Sequence, residues 1–180
     1  MCLIIRYQND NYFVPTRHLR LALKRYQQFY KKMNGTIHHI EINVSDLEKS
    51  TGFWKWLLTE KFSYTILQNW DNGISFKFEE TYLVFVQTDK EYLDSSFHRK
   101  NVGINHLAFH CGSREFVDLL TKELRERNIN ILYVDRHPFA GGNNNYAVFF
   151  ECPDKIKIEV VANETRKNLT INNDENSRSK

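Results

Sequence analysis

No run of 18 or more apolar residues occurs anywhere in this sequence, so it encodes no helix of the length a membrane crossing needs. Only five apolar residues in a row precede Arg6, too few for the core of a secretory signal. Cysteine is scarce: Cys2, Cys111 and Cys152 are odd in number and far apart. That pattern excludes a disulfide framework and suits a reducing, cytoplasmic setting. Acidic residues are missing between Asn11 and Asn34, and residues 1–32 carry seven Lys/Arg against Asp10 alone, a balance of +6. The chain as a whole is only +3, so the remainder is net acidic at −3. A nucleic-acid role needs a basic patch on the folded part, and none is legible. What is present is ample core material, 41% hydrophobic and 14% aromatic, which excludes global disorder.

Three regions follow from the patterning. Residues 1–34 read as a basic extension, helical over residues 17–33, where apolar side chains recur at Leu19, Leu23, Tyr26, Tyr30 and Met33. Such a helix can pack on its own domain, lie on an anionic surface, or be a leader ahead of a start at Met33. Residues 35–162 form the body, and residues 163–180 are a polar tail without periodicity, expected to be disordered.

Within the body one pattern occurs twice. A strand over residues 37–44 runs into Ser45-Asp46-Leu47-Glu48, which reads as a capping box opening a helix with Leu47, Trp54, Leu57 and Leu58 on one face. Three strand-like runs follow at residues 62–70, 74–78 and 82–88, the first two separated by the turn signal Asp71-Asn72-Gly73. The same β-α-β-β-β order returns with strands at residues 104–111, 129–135, 146–150 and 156–161, and with Ser113 capping a helix that bears Phe116, Val117, Leu120 and Leu124. The offset between the copies is 67 residues, from His39 to His106. The expected class is α+β: two tandem βαβββ modules forming a cupped mixed sheet.

Alternation sorts the strands into faces. Ile40, Ile42 and Val44 should meet the helix, leaving His39, Glu41 and Asn43 opposite. In the repeat, His106, Ala108 and His110 face away from the helix, as do Lys157, Glu159 and Val161 in the last strand. Polar side chains in mid-strand on a concave face need hydrogen bonds or an ion to offset desolvation. Trp54, Trp70 and Tyr146 read as core aromatics, His38 as structural, and the segment around Arg136-His137 and Gly141-Gly142 as either a mobile lid or an ordinary loop.

His39 opening H-x-x-x-x-V-x-D-L-E-K-S before Phe53-Trp54, the second opening His106-Leu-Ala-Phe, and the ending Pro153-Asp154-x-x-x-Ile158-Glu159 resemble the vicinal-oxygen-chelate superfamily of glyoxalases, bleomycin- and fosfomycin-resistance proteins and extradiol dioxygenases. The resemblance covers residues 36–162. It implies a cleft holding one divalent metal ion, with His39, His106 and Glu159 at the ligand positions. Two imidazoles and a carboxylate suit Zn, Mn, Fe or Ni and leave coordination positions open. Overlaying residues 82–86 on residues 156–160 puts Phe85 where glyoxalase I-like members have a fourth ligand, with Gln87 as a substitute on the same face.

The resemblance implies lyase or isomerase chemistry on a small oxygenated metabolite, with Glu159 as a catalytic group. Glu41, two residues after His39 on the same face, reads as a catalytic group that either supports the ligands or acts as general base. The alternative is that it pairs with Lys157 or another inward cation and holds the cleft together. Fosfomycin-type transfer of a thiol or water, extradiol-type oxygenation, and ligand sequestration without catalysis are the alternatives. The expected partner is a small-molecule substrate, with no nucleic acid and no membrane span. Family members also often pair their modules across a homodimer interface.

Overall fold

In the computed structural model the backbone is described for residues 2–7, 10–15, 35–94 and 97–162. The chain divides into two compact units, Met1–His38 and His39–Lys180. In the first, β1 (Cys2–Tyr7) and β2 (Asp10–Pro15) form an antiparallel hairpin, which the patterning did not reveal. The helix expected over residues 17–33 and the tail beyond residue 162 lie outside the described residues.

The second unit opens with β3 (His39–Val44), whose residues alternate between exposed and buried as the sequence requires. Helix α1 (Leu47–Lys55) follows and continues into a wider π-helical turn over Trp56–Lys61. Its N-cap is Asp46, whose carboxylate accepts the amide of Lys49 at 3.0 Å. Ser45, the expected cap, is instead turned toward Asp154 of the second module. Strands β4 (Thr65–Trp70), β5 (Gly73–Phe78) and β6 (Thr81–Gln87) complete the module.

The second module repeats the order with β7 (His106–Cys111), α2 (Arg114–Glu126), β8 (Ile131–Leu132), β9 (Ala147–Glu151) and β10 (Lys157–Ala162). Ser113 caps α2 by accepting the amide of Phe116, and Asn128 ends it in the left-handed region at φ 55. β8 keeps only two of the residues expected for it.

Each module makes a four-stranded mixed sheet, ordered β3-β6-β5-β4 and β7-β10-β9-β8. In both, the first strand pairs in parallel with the last and the other pairs are antiparallel. The α+β architecture of two tandem βαβββ modules is therefore the one expected.

The helix-bearing faces of both sheets drain into one core. Trp54 stacks on Phe85 at 4.6 Å, and Phe53 reaches across to Phe150 of the second module at 6.4 Å. Phe62 stacks on Phe109 and Phe116, and Val117, Leu120, Leu124, Ile158 and Val160 join the same cluster. Polar bonds reinforce this seam: Asp154 accepts from the Ser45 amide, the Ser45 hydroxyl and the buried Ser50 hydroxyl, while Glu123 receives Trp56 Nε1 at 2.8 Å and Lys61 Nζ at 2.6 Å. The residues on the opposite faces of the two sheets, Lys157 and Glu159 among them, lie outside that shared cluster. That arrangement decides where the candidate residues lie.

Trp70 departs from its expected core role and is 41% exposed. β4 is an edge strand with every residue exposed, and the Trp70 ring lies over Gly73, where an added Cβ would come within 2.2 Å of it.

Candidate functional site

The outward face of the second sheet carries a buried carboxylate. Glu159 sits in the middle of β10 at 8% exposure, between β7 and β9. Its Oε1 accepts from Asn145 Nδ2 at 2.7 Å, and its Oε2 lies 3.1 Å from His106 Nε2. Asn145 was not singled out by sequence reasoning, because a loop asparagine carries no periodic signal. It arrives there through four successive turns, closed by the amides of Arg136, Phe139, Gly142 and Asn145 on carbonyls three residues earlier. These bonds organise residues 133–145 into the turns that bring Asn145 to Glu159.

The tautomer of His106 follows from its neighbours. Asn105 Nδ2 donates to the carbonyl of Arg99 at 3.0 Å, which fixes the amide and aims Asn105 Oδ1 at His106 Nδ1, 3.0 Å away. Nδ1 must then be the donor. A neutral ring would present the lone pair of Nε2 to a carboxylate oxygen at 3.1 Å, acceptor against acceptor. The geometry calls for a positive charge between them, either a second proton on the ring or a metal ion. Two donors each about 2.1 Å from one ion, at about a right angle, would be roughly 3 Å apart, so the observed pair fits as two ligands.

The third expected ligand is elsewhere. His39 opens β3 in the other sheet, exposed and stacked on Tyr82 at 4.9 Å. Among the described residues no three His, Cys, Asp or Glu side chains come together in a metal-binding group. Glu41 shares the His39 face, exposed on the same strand. The alternative of a pairing between Glu41 and Lys157 is not formed among the described residues.

Register also corrects the fourth-ligand overlay. His106 pairs with Lys157 and Ala108 with Glu159, whereas His39 pairs with Tyr82 and Glu41 with Val84. The counterpart of Glu159 is thus Val84, and Phe85 points into the core with no exposure. Gln87, on the Phe85 side, accepts the Leu47 amide at 2.9 Å and donates to the Ser45 and Thr88 carbonyls. It fastens the start of α1 to the end of β6.

Of the other residues, His110 is exposed on the His106 face and His38 is exposed. Tyr146 packs against the core and donates to Asp118 at 2.7 Å, which raises its phenol above the ordinary value. Burial pushes the Cys152 thiol up to about 12 and also raises Cys111, so neither suits a nucleophilic role. No helix among the described residues is long and apolar enough to cross a membrane.

The profile of the Glyoxalase/Bleomycin resistance protein/Dioxygenase superfamily matches residues 38–150. An uncharacterised protein of Bacillus subtilis, YqjT, is 52% identical over 126 residues, 70% of this chain and 98% of its own length. The crystal structure of a glyoxalase candidate from Bacillus halodurans is 55% identical, covering 73% of this chain and 98% of that one, with a TM-score of 0.72. A glyoxalase/dioxygenase from Nostoc punctiforme shares the fold at 20% identity, covering 72% of this chain and 91% of its own, with a TM-score of 0.56. The duplicated modules, the His106–Glu159 pair and these likenesses agree: the chain belongs to the Glyoxalase/Bleomycin resistance protein/Dioxygenase superfamily.

Proposed function

We propose that the protein is a metal-dependent, glyoxalase-like enzyme of the lyase or isomerase type, acting on a small oxygenated metabolite. The observation that carries this reading is the His106–Glu159 pair, whose Nε2 and Oε2 face each other at 3.1 Å with a separation that suits two ligands of one ion. His106 and Glu159 would be two ligands, Asn105 and Asn145 would hold them in orientation, and His39 would be the third. Outer hydrogen bonds of this kind set ligand geometry and basicity.

Because His39 stands in a different sheet from His106 and Glu159, and the three form no group among the described residues, His39 would come from a second copy, making the enzyme a homodimer with sites shared between chains. A bound divalent ion would act as a Lewis acid toward adjacent substrate oxygens. Glu41 would arrive with His39, its Cα about 6.5 Å along the same strand and its side chain on the same face. Being exposed, it is free to take a proton from a substrate placed beside it.

Complementation tests the shared site. Elemental analysis should find about one divalent ion per wild-type chain and far less in His39→Ala or His106→Ala alone. Mixing the two variants should restore metal, since a mixed dimer rebuilds one complete site from the intact His39 of one chain and the intact His106 of the other. Failure of the mixture to recover metal while wild type holds it would place all three ligands in one chain. Glu41→Gln should keep its metal and lose turnover across a panel of small oxygenated substrates.

A further inference from the structure

The cluster around Glu159 includes a cation that the proposed metal chemistry does not use. Lys157 lies two residues before Glu159 on β10, on the same outward face, and is 7% exposed. Its ammonium sits 5.7 Å from the ring centroid of Tyr133 and 5.8 Å from that of Phe149. Aromatic faces attract a cation but supply no hydrogen-bond acceptor of carboxylate strength.

Two carboxylates are placed to neutralise Lys157, and neither does. Glu151 is its direct partner across the β9–β10 ladder, but that carboxylate is engaged by Arg99 and by Asn130 Nδ2 at 2.6 Å. Glu159 is occupied by Asn145 on one oxygen and His106 on the other. Among the described residues no acceptor or carboxylate oxygen lies within hydrogen-bonding or ion-pair distance of Nζ. Its stem is buried, but Nζ is not among the buried unpartnered atoms, so the ammonium keeps an open side that a ligand can reach. The aromatic pair holds the charge beside the candidate ligands with its three donors uncommitted.

We propose that Lys157 is the specificity-determining cation of this site and that the substrate carries an oxyanion group, a carboxylate or a phosphate, which Lys157 binds. This deepens the reading above and rests on it for the location of the chemistry. The oxyanion would complete the shell of Nζ beside the Tyr133 and Phe149 rings. A lysine acts on such groups as a point charge and accepts either geometry.

The test uses malonate and inorganic phosphate as probes, with uncharged malonamide as the control, at constant ionic strength and with EDTA present. Calorimetric titration should show wild type binding at least one of the two anions and not malonamide. Whichever binds names the preferred group. Lys157→Met keeps an unbranched chain of similar length between the rings and should lose at least about tenfold in affinity, the scale of a charge-assisted hydrogen bond. Lys157→Arg should retain binding within about threefold, because the charge remains. Lys157→Gln replaces the Met variant if the latter melts far below wild type.

Metal content of each variant is measured separately. A wild type that takes up no divalent ion yet binds malonate through Lys157 would sink the metal centre and leave the anion site standing. Wild type that binds neither anion, or a Met or Gln variant that binds them as wild type does, would overturn the assignment.

Discussion

The two modules share strand order and register, yet their outward faces do different things. Each begins with a histidine, and each carries one carboxylate on the next same-face register pair. In the first module that carboxylate is Glu41 on the first strand, opposite Val84, and it is exposed. In the second it is Glu159 on the last strand, opposite Ala108, and it is buried. A buried carboxylate must be satisfied: Asn145 donates to one oxygen of Glu159, and the other faces His106 Nε2. An exposed one remains available to meet a substrate. The duplication thus yields a preorganised half and an open half, and the difference arises from which strand received the acid.

The strongest way to break this comparison is to attack what the modules have in common. Phe150 belongs to the second module but packs against Phe53 of the first in the shared core. Phe150→Ala should cost about 3–5 kcal/mol and lower both modules together in one urea transition. Two separate transitions by circular dichroism and tryptophan fluorescence would mean that the modules fold independently.

A smaller effect is expected at the polar seam. Asp154 accepts three hydrogen bonds from Ser45 and Ser50, and Ser50 is fully buried. Asp154→Ala leaves that hydroxyl without its partner and should cost about 1–3 kcal/mol in denaturant unfolding. An unchanged midpoint would show that the apolar contacts alone set how the modules join.

The finest contrast concerns two amides. Gln87 in the first module is bonded to backbone, and Asn145 in the second to a carboxylate. Gln87→Met should lower stability by about 1 kcal/mol and leave metal affinity alone. Asn145→Ala should lower metal affinity on the order of tenfold with little change in melting temperature. Reversed outcomes would move the functional half of the molecule to the first module.

Much of this was legible in advance because it depends on local pattern. Period-two alternation in β3 and β7 separated His39 and His106 from the aliphatic residues beside them, and the 67-residue repeat made the two sheets equivalent before any pairing was known. Other features escaped for physical reasons. Ser45 and Asp46 are both good helix caps, and only the distant Asp154 decides which one is used. Asn145 reaches Glu159 through a series of turns without periodicity. An ungapped overlay of β6 on β10 slips by one residue, and one residue reverses the face, so Phe85 was placed where Val84 belongs.

The sequence by itself determined the two modules, their helices and the face on which each polar residue lies, because alternation and capping act over a few neighbouring residues. Only the tertiary structure decided that the helix sides of both modules fill one core. Apolar burial is non-directional, so the pattern that drives each sheet onto its helix does not specify which other sheet will share that helix. That choice decides which faces of the two sheets lie outside the shared core.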